Sequence, residues 1–178
     1  MEASMNSEQE KLIAPCGLYC GACSIRLAGK RRDLSLLKQI AEVLTVQQGQ
    51  PIKVEDLACD GCLSNDVVAI VCRNCELRAC ALRKGVRHCS ECPDSPCQPL
   101  VDFSKDGLPH HAEVLDNIQR QRESGLDSWA EEEKKRWRCP ACGGDIDWYA
   151  GQCYACSAAL AAQFSPPQVP GADAAASP

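Results

Sequence analysis

From Asp33 onward, apolar residues recur at Leu34, Leu37, Ala41 and Leu44, a spacing that puts them on one face of a helix. Asp33 suits the cap of that helix, and Gly49 with Pro51 ends it. A narrower stripe follows at Val114, Leu115 and Ile118, with Gly125 as its stop. Ser128 and Glu131 have capping-box spacing for a further helix, on which Trp129, Glu133 and Trp137 share a face. Both tryptophans are expected to be packing anchors, because a buried indole is chiefly apolar area. The run Glu131-Glu132-Glu133-Lys134-Lys135 reads as a solvated helix surface. Elsewhere the pattern breaks into short loops and turns around cysteines.

The resulting organisation has five parts. Residues 1–11 are polar and residues 161–178 are rich in Pro and Ala, and both are expected to be disordered tails. Residues 12–105 hold eleven cysteines, residues 106–137 form a helical connector, and residues 138–160 carry the last four cysteines. The expected fold class is a small irregular α+β chain. It combines a metal-stapled cysteine-rich domain with few helices, the connector, and a C-terminal zinc-ribbon hairpin.

Composition turns attention to the cysteines. There are fifteen in 178 residues, while aromatic residues make up 4%. Such a chain is poor in large core side chains, and small cores of this kind are normally reinforced by cross-links or metals. Disulfides would require an oxidising compartment, usually reached through a signal peptide. The stretch Met1-Glu2-Ala3-Ser4-Met5-Asn6-Ser7-Glu8 is acidic and polar, and no run approaches the ~20 apolar residues of a membrane span. A cytoplasmic protein is therefore expected, without membrane association, and there clustered cysteines act as metal ligands or redox groups. The odd count also fits a complete disulfide framework badly. The formal net charge of −5 argues against a general nucleic-acid binder, since such binding draws on phosphate neutralisation by Lys and Arg.

The strongest motif lies at the C-terminal end. Cys139-Pro140-Ala141-Cys142 is followed after ten residues by Cys153-Tyr154-Ala155-Cys156. Two CxxC pairs suit a tetrahedral zinc ion, because each short turn offers two thiolates to one side of the metal. Four protein ligands close the shell, so zinc here would be structural. Asp145 to Tyr149 can supply a hairpin strand between the pairs. If the ribbon folds as its own unit, Cys142→Ser unfolds it and spares residues 12–105. A rubredoxin-like single iron is the minor alternative.

Cys16, Cys20 and Cys23 have the C-x3-C-x2-C spacing by which radical S-adenosylmethionine enzymes hold a four-iron cluster. The context is poor, since an eight-stranded barrel runs ~250 residues and Ala22 stands where an aromatic is usual. Cys59 and Cys62 form a further knuckle. A CxxCx4C pattern then appears twice, at Cys72, Cys75 and Cys80 and again at Cys89, Cys92 and Cys97. The simplest grouping joins Cys59, Cys62, Cys72 and Cys75 in one site and Cys80, Cys89, Cys92 and Cys97 in another. Cys16, Cys20 and Cys23 are then left without a fourth thiolate, for which His88 or an open position could serve. Interleaved groupings are equally allowed. The cofactor expected in residues 16–97 is zinc or an iron–sulfur cluster.

Arg73, Arg78, Arg83, Lys84, Arg87 and His88 lie among these cysteines, where cations stabilise thiolate-rich centres. An anionic ligand or RNA is the alternative use of the same patch. His110 and His111 fall at an expected helix start and read as solvent-exposed. No nucleophile–base–acid arrangement, phosphate loop or HExxH pattern is visible.

At CGLYCGACSIRLAGK (16–30), CDGC (59–62) and CRNCELRACALRKGVRHCSECPDSPC (72–97), the chain resembles a cysteine-rich prokaryotic family of unknown function. The similarity extends towards WRCPACGG (137–144). The resemblance covers about residues 13–105, with all eleven cysteines at the family's positions. It implies metal binding and a prokaryotic cytoplasmic home. Members occur often in anaerobic bacteria and archaea, and some add a C-terminal zinc ribbon, so the resemblance also raises iron–sulfur chemistry as an expectation. It implies no reaction or substrate.

Three functions follow as expectations. One is a zinc-stabilised interaction or accessory module with a protein partner, or RNA. Another is an iron–sulfur protein serving electron transfer or an anaerobic enzyme system. The last is a thiol redox or metal-delivery protein, although the strand–helix setting expected for such a CxxC motif is missing.

Overall fold

A computed structural model describes residues 7–65 and 67–166. The tails expected at 1–11 and 161–178 lie outside the described residues up to position 6 and from 167 onward. Among the described residues eight α-helices run in chain order: α1 (Ser7–Glu10), α2 (Ser24–Arg31), α3 (Leu34–Gln48), α4 (Ile70–Arg73), α5 (Glu76–Lys84), α6 (Gln98–Phe103), α7 (Val114–Ser124) and α8 (Leu126–Arg136). The described residues are thus mostly helical. They contain isolated β-bridges at Ile13–Tyr19, Arg138–Asp145 and Gln152–Ala159 rather than named strands. The expected α+β balance therefore shifts towards helix. The reason is visible at the cysteines: Cys23, Cys75 and Cys97 stand directly before α2, α5 and α6, so knuckles that read as loops also start helices.

The best-predicted helix forms as its sequence dictates. The Asp33 carboxylate accepts from the Leu36 N–H at 3.0 Å, and Gly49 closes α3 in the left-handed conformation. Leu37 and Ala41 are buried against Ala28, Ile52 and Leu57, whereas Leu34 points outward at 59% exposure. Asp33→Ala is expected to lower stability by about 1 kcal/mol. A reduced urea midpoint at unchanged slope is the readout, and an unmoved midpoint would deny the cap a role.

The connector is tighter than its sequence suggests. Gly125, at φ 83°, is at once the stop of α7 and the start of α8. The Trp129 N–H bonds the Gly125 carbonyl at 3.1 Å, so helical bonding is already under way at Ser128, which lies inside α8 rather than capping it. Trp129 is fully buried, edge-on to Tyr19 at 6.2 Å between ring centroids, and donates Nε1–H to Asn117 Oδ1 at 3.4 Å. Glu133 does not join a solvated surface. It is 1% exposed, accepts from Trp137 Nε1 at 2.9 Å and pairs with Arg120 at 3.0 Å, because a buried carboxylate requires partners.

Two core clusters meet at the N-terminal loop. One joins Ala14, Cys16 and Cys20 to Leu77, Leu100, Val114 and Ile118, with Cys62, Cys75, Cys89 and Cys97 packed against it. The other joins Ile13, Tyr19 and Ala22 to Trp129 and Trp137, and continues into Cys139, Ile146, Trp148 and Cys153. The C-terminal cysteine segment thus shares its core with the first domain. Even part of the expected tail packs, since Phe164 lies against Trp137 at 6.2 Å. At the other end Glu10 pairs with Arg87 at 2.9 Å. No helix among the described residues is long and apolar enough to cross a membrane.

Candidate metal centres

The C-terminal set is built from two knuckles of the same design. In the first, Cys139 N–H bonds Gly144 O and Gly143 N–H bonds Cys139 O, both at 2.8 Å. In the second, Cys153 N–H bonds Ala158 O and Ser157 N–H bonds Cys153 O, both at 2.9 Å. Backbone amides also turn towards sulfur: Gly144 N–H reaches Cys142 Sγ and Ala155 N–H reaches Cys153 Sγ, each at 3.4 Å. Such donors stabilise thiolates. The N–H groups of Ala155 and Cys156 hold the Cys153 thiol down at about 6.

The sulfurs of Cys139, Cys142, Cys153 and Cys156 all lie within 4.8 Å of one another. Two of their separations, Cys139–Cys156 and Cys142–Cys153, are 3.7 Å. Four thiolates bound tetrahedrally at ~2.3 Å would stand roughly 3.8 Å apart. The donor set therefore fits one metal ion, held by one pair of cysteines from each knuckle.

Between the knuckles the expected hairpin strand is reduced to a short pairing, Asp145 with Arg138 and Ile146 N–H with Trp137 O at 3.1 Å. Each knuckle closes on its own bridge, Arg138 with Asp145 and Gln152 with Ala159. The intervening residues dock on the first domain instead. Trp148 N–H bonds Ala22 O at 3.1 Å, and buried Asp147 faces Arg31 at 3.8 Å. The Arg31 guanidinium also lies 3.7 Å over the Tyr154 ring, beside the second knuckle. These docking residues carry no local signature in the sequence.

His110 and His111, expected in solvent, are buried. His110 stacks on Trp148 with centroids 3.9 Å apart and is hydrogen-bonded to the Tyr149 hydroxyl. His111 Nδ1 lies 2.8 Å from Asp106. Burial depresses the His110 pKa, so the ring is neutral and serves as an aromatic wedge between connector and knuckles.

The eleven earlier cysteines fall into two loose neighbourhoods that both reach Cys20, and among the described residues neither is as compact as the C-terminal set. In one, Cys62 Sγ is 3.4 Å from Cys72 Sγ; Cys20 is hydrogen-bonded to Cys62, and Cys59 to Cys72. Hydrogen bonds from Cys59 and then Cys62 hold the Cys72 thiol down at about 4, which favours the ligand form. In the other, Cys16 is surrounded by Cys75, Cys20 and Cys89, while Cys97, Cys92, Cys80 and Cys75 surround Cys89. Cys23 is near Cys20 and Cys72 and accepts from the N–H groups of Arg26 and Ile25, and burial pushes its thiol up to about 12.

α4 ends at Arg73, Asn74 turns the chain with Cys75 N–H bonded to Cys72 O at 3.3 Å, and α5 begins at Glu76. The knuckle Cys59-Asp60-Gly61-Cys62 needs its glycine. At φ 130° a Cβ on Gly61 would sit 2.1 Å from the Lys11 carbonyl oxygen.

The cations among the cysteines are used locally. Arg78 donates to Cys62 O at 2.7 Å, and Lys84 Nζ lies 3.7 Å from Cys92 Sγ while pairing with Asp94. Arg122, which the sequence reading missed, reaches across from α7 to the carbonyls of Ser90, Cys92 and Ser95 at 2.8 to 3.0 Å. His88 is 1% exposed and lies near Glu91, Arg87, Ala14 and Glu10, and burial lowers its pKa, which favours the neutral ring.

Among known proteins, a family described as "Protein of unknown function (DUF3795)" matches residues 12–102. No curated protein and no solved structure matches the chain.

Proposed function

The chain belongs to this DUF3795 family, whose description names no reaction, and on that premise we propose that it is a zinc-binding accessory protein. In this reading its metal centres hold together a surface for a protein partner. The observation that carries the proposal is the four-sulfur set at Cys139, Cys142, Cys153 and Cys156, compact to within 4.8 Å. Four thiolates occupy every position of a tetrahedral zinc, so the ion would lend folding energy rather than an open site. The negative net charge of −5 favours a protein over RNA as partner. The remaining cysteines, Cys16, Cys20, Cys23, Cys59, Cys62, Cys72, Cys75, Cys80, Cys89, Cys92 and Cys97, are read as ligands of the first domain. A cytoplasmic setting is part of the same proposal, since reduced thiols are required.

One observation favours a second reading for residues 16–97. More thiols gather around Cys89 than one tetrahedral ion needs, and a polynuclear iron–sulfur centre would draw on the same residues. Metal content and visible absorption of protein purified without oxygen distinguish the two. Colourless protein with three or more zinc ions supports the scaffold. Brown protein with iron, sulfide and about one zinc moves the first domain to the iron–sulfur reading. Protein that carries no metal in either form overturns both.

A further inference from the structure

Widely separated stretches of the chain converge on one groove of about 470 Å³. The N-terminal loop, α2, α8 and the first C-terminal knuckle supply its walls, so it lies where residues 12–102 meet the C-terminal segment. Its charge is the reverse of the chain's net −5. Four cations, Arg26, Lys30, Lys134 and Arg138, line it against two carboxylates, Glu131 and Asp145. Asp145 is shared between Arg138 at 3.1 Å and Lys30 at 3.9 Å. Glu131 takes Lys134 at 3.2 Å and also accepts from Gln9. Arg26 places Nε 3.4 Å from the Asp60 carbonyl oxygen and pairs with no carboxylate among the described residues. Two positive charges are thus left without a counterpart in the groove.

The same wall offers a neutral donor. Gly21 has no side chain, and the Tyr19 ring lies across the space one would fill. A Cβ there would sit 2.2 Å from the ring and 2.6 Å from its hydroxyl oxygen. The ring packs edge-on to Trp129 in the core, while Tyr19 and Gly21 both border the groove. Burial, with Asp145 adding to it, pushes the Tyr19 pKa up to about 12, so the hydroxyl keeps its proton at neutral pH and can donate it.

We propose that this groove binds a small dianion of the phosphomonoester class, held among Arg26, Lys30, Lys134 and Arg138 with the Tyr19 hydroxyl as a further donor. A doubly charged ligand matches the two uncompensated cations. A phosphomonoester carries close to two negative charges above neutral pH and presents three strong acceptor oxygens. Guanidinium forks and ammonium groups are the donors that pair best with such oxygens. The volume falls within the ~300–1,000 Å³ of small-molecule sites and exceeds what a phosphate group alone fills, which leaves room for an organic remainder beside Leu12. Arg138 and Asp145 come from the first knuckle, so the site is complete only with the C-terminal segment docked. It does not depend on which metal the cysteines hold.

Phenyl phosphate is the probe, titrated at low salt and slightly above neutral pH into the full chain as purified, with binding followed by amide chemical shifts. Phenyl sulfate, of the same shape but with one negative charge, is the comparison. Phenyl phosphate is expected to saturate a single site, with shifts concentrated over residues 19–30 and 131–145, and phenyl sulfate to bind more weakly. Arg26→Gln should weaken phenyl phosphate roughly tenfold or more, since it removes a charge-assisted hydrogen bond, and Tyr19→Phe should weaken it by a smaller factor. Lys38→Gln removes the same charge from an exposed position on α3 outside the groove and should change nothing. Unchanged metal content and Tm in Arg26→Gln separate lost binding from lost fold, and where that variant does not fold, the shift map of the wild-type chain still decides. Shifts that never saturate, that centre on other residues, or that weaken equally in Lys38→Gln and Arg26→Gln would overturn the proposal, as would no response to millimolar phenyl phosphate.

Discussion

Cys142→Ser is expected to release one metal ion per chain and to destabilise far more than the C-terminal knuckles. Cys142 is exposed and serine is nearly isosteric, so the substitution removes a ligand while disturbing little packing. Structural zinc contributes ~10–16 kcal/mol of apparent binding energy in small zinc domains, and in such systems binding energy is folding energy. Losing one of four thiolates forfeits a large part of it, at least several kcal/mol. The damage should spread because Ile146 and Trp148 share a core with Ile13, Tyr19, Ala22 and Trp129. Hydrogen exchange is the measurement. Protection is expected to fall over residues 13–22 as well as over 138–160. Full protection at 13–22 beside a melted C-terminal segment would restore the independent ribbon that the motif alone suggests.

Trp129→Ala is the second large effect. The side chain is fully buried, packs edge-on against Tyr19 and bonds Asn117 on α7, so it joins connector, N-terminal loop and knuckles. Removing a buried tryptophan costs about 3–5 kcal/mol. At about 2–4 °C per kcal/mol for a chain of this size, Tm should fall by roughly 10 °C. Metal content should stay unchanged, because no thiol is lost. A Tm shift of one or two degrees would show that the core is centred elsewhere.

Much of this was legible because local chemistry declares itself. The cap at Asp33, the stop at Gly125, the buried tryptophans and the two C-terminal CxxC turns each follow from residue type and short spacing. What escaped was whatever depends on distant partners. Glu133 reads as surface until Trp137 and Arg120 are seen beside it. His110 reads as exposed because nothing nearby announces the stack on Trp148, thirty-eight residues on. The strand expected over 145–149 pairs only at its start, Asp145 and Ile146 with Arg138 and Trp137, because Asp147 and Trp148 turn to Arg31 and Ala22.

The central claim, that Cys139, Cys142, Cys153 and Cys156 hold a metal ion, is tested most directly by their reactivity. Cys142 and Cys156 are exposed, so burial cannot shield them, whereas coordination can. Native protein, kept reduced and free of oxygen, is treated with iodoacetamide before and after addition of a chelator, and each cysteine is read by mass spectrometry. The account predicts that Cys142 and Cys156 resist alkylation until the chelator is added and then react together. Rapid alkylation of both in protein as purified would contradict it.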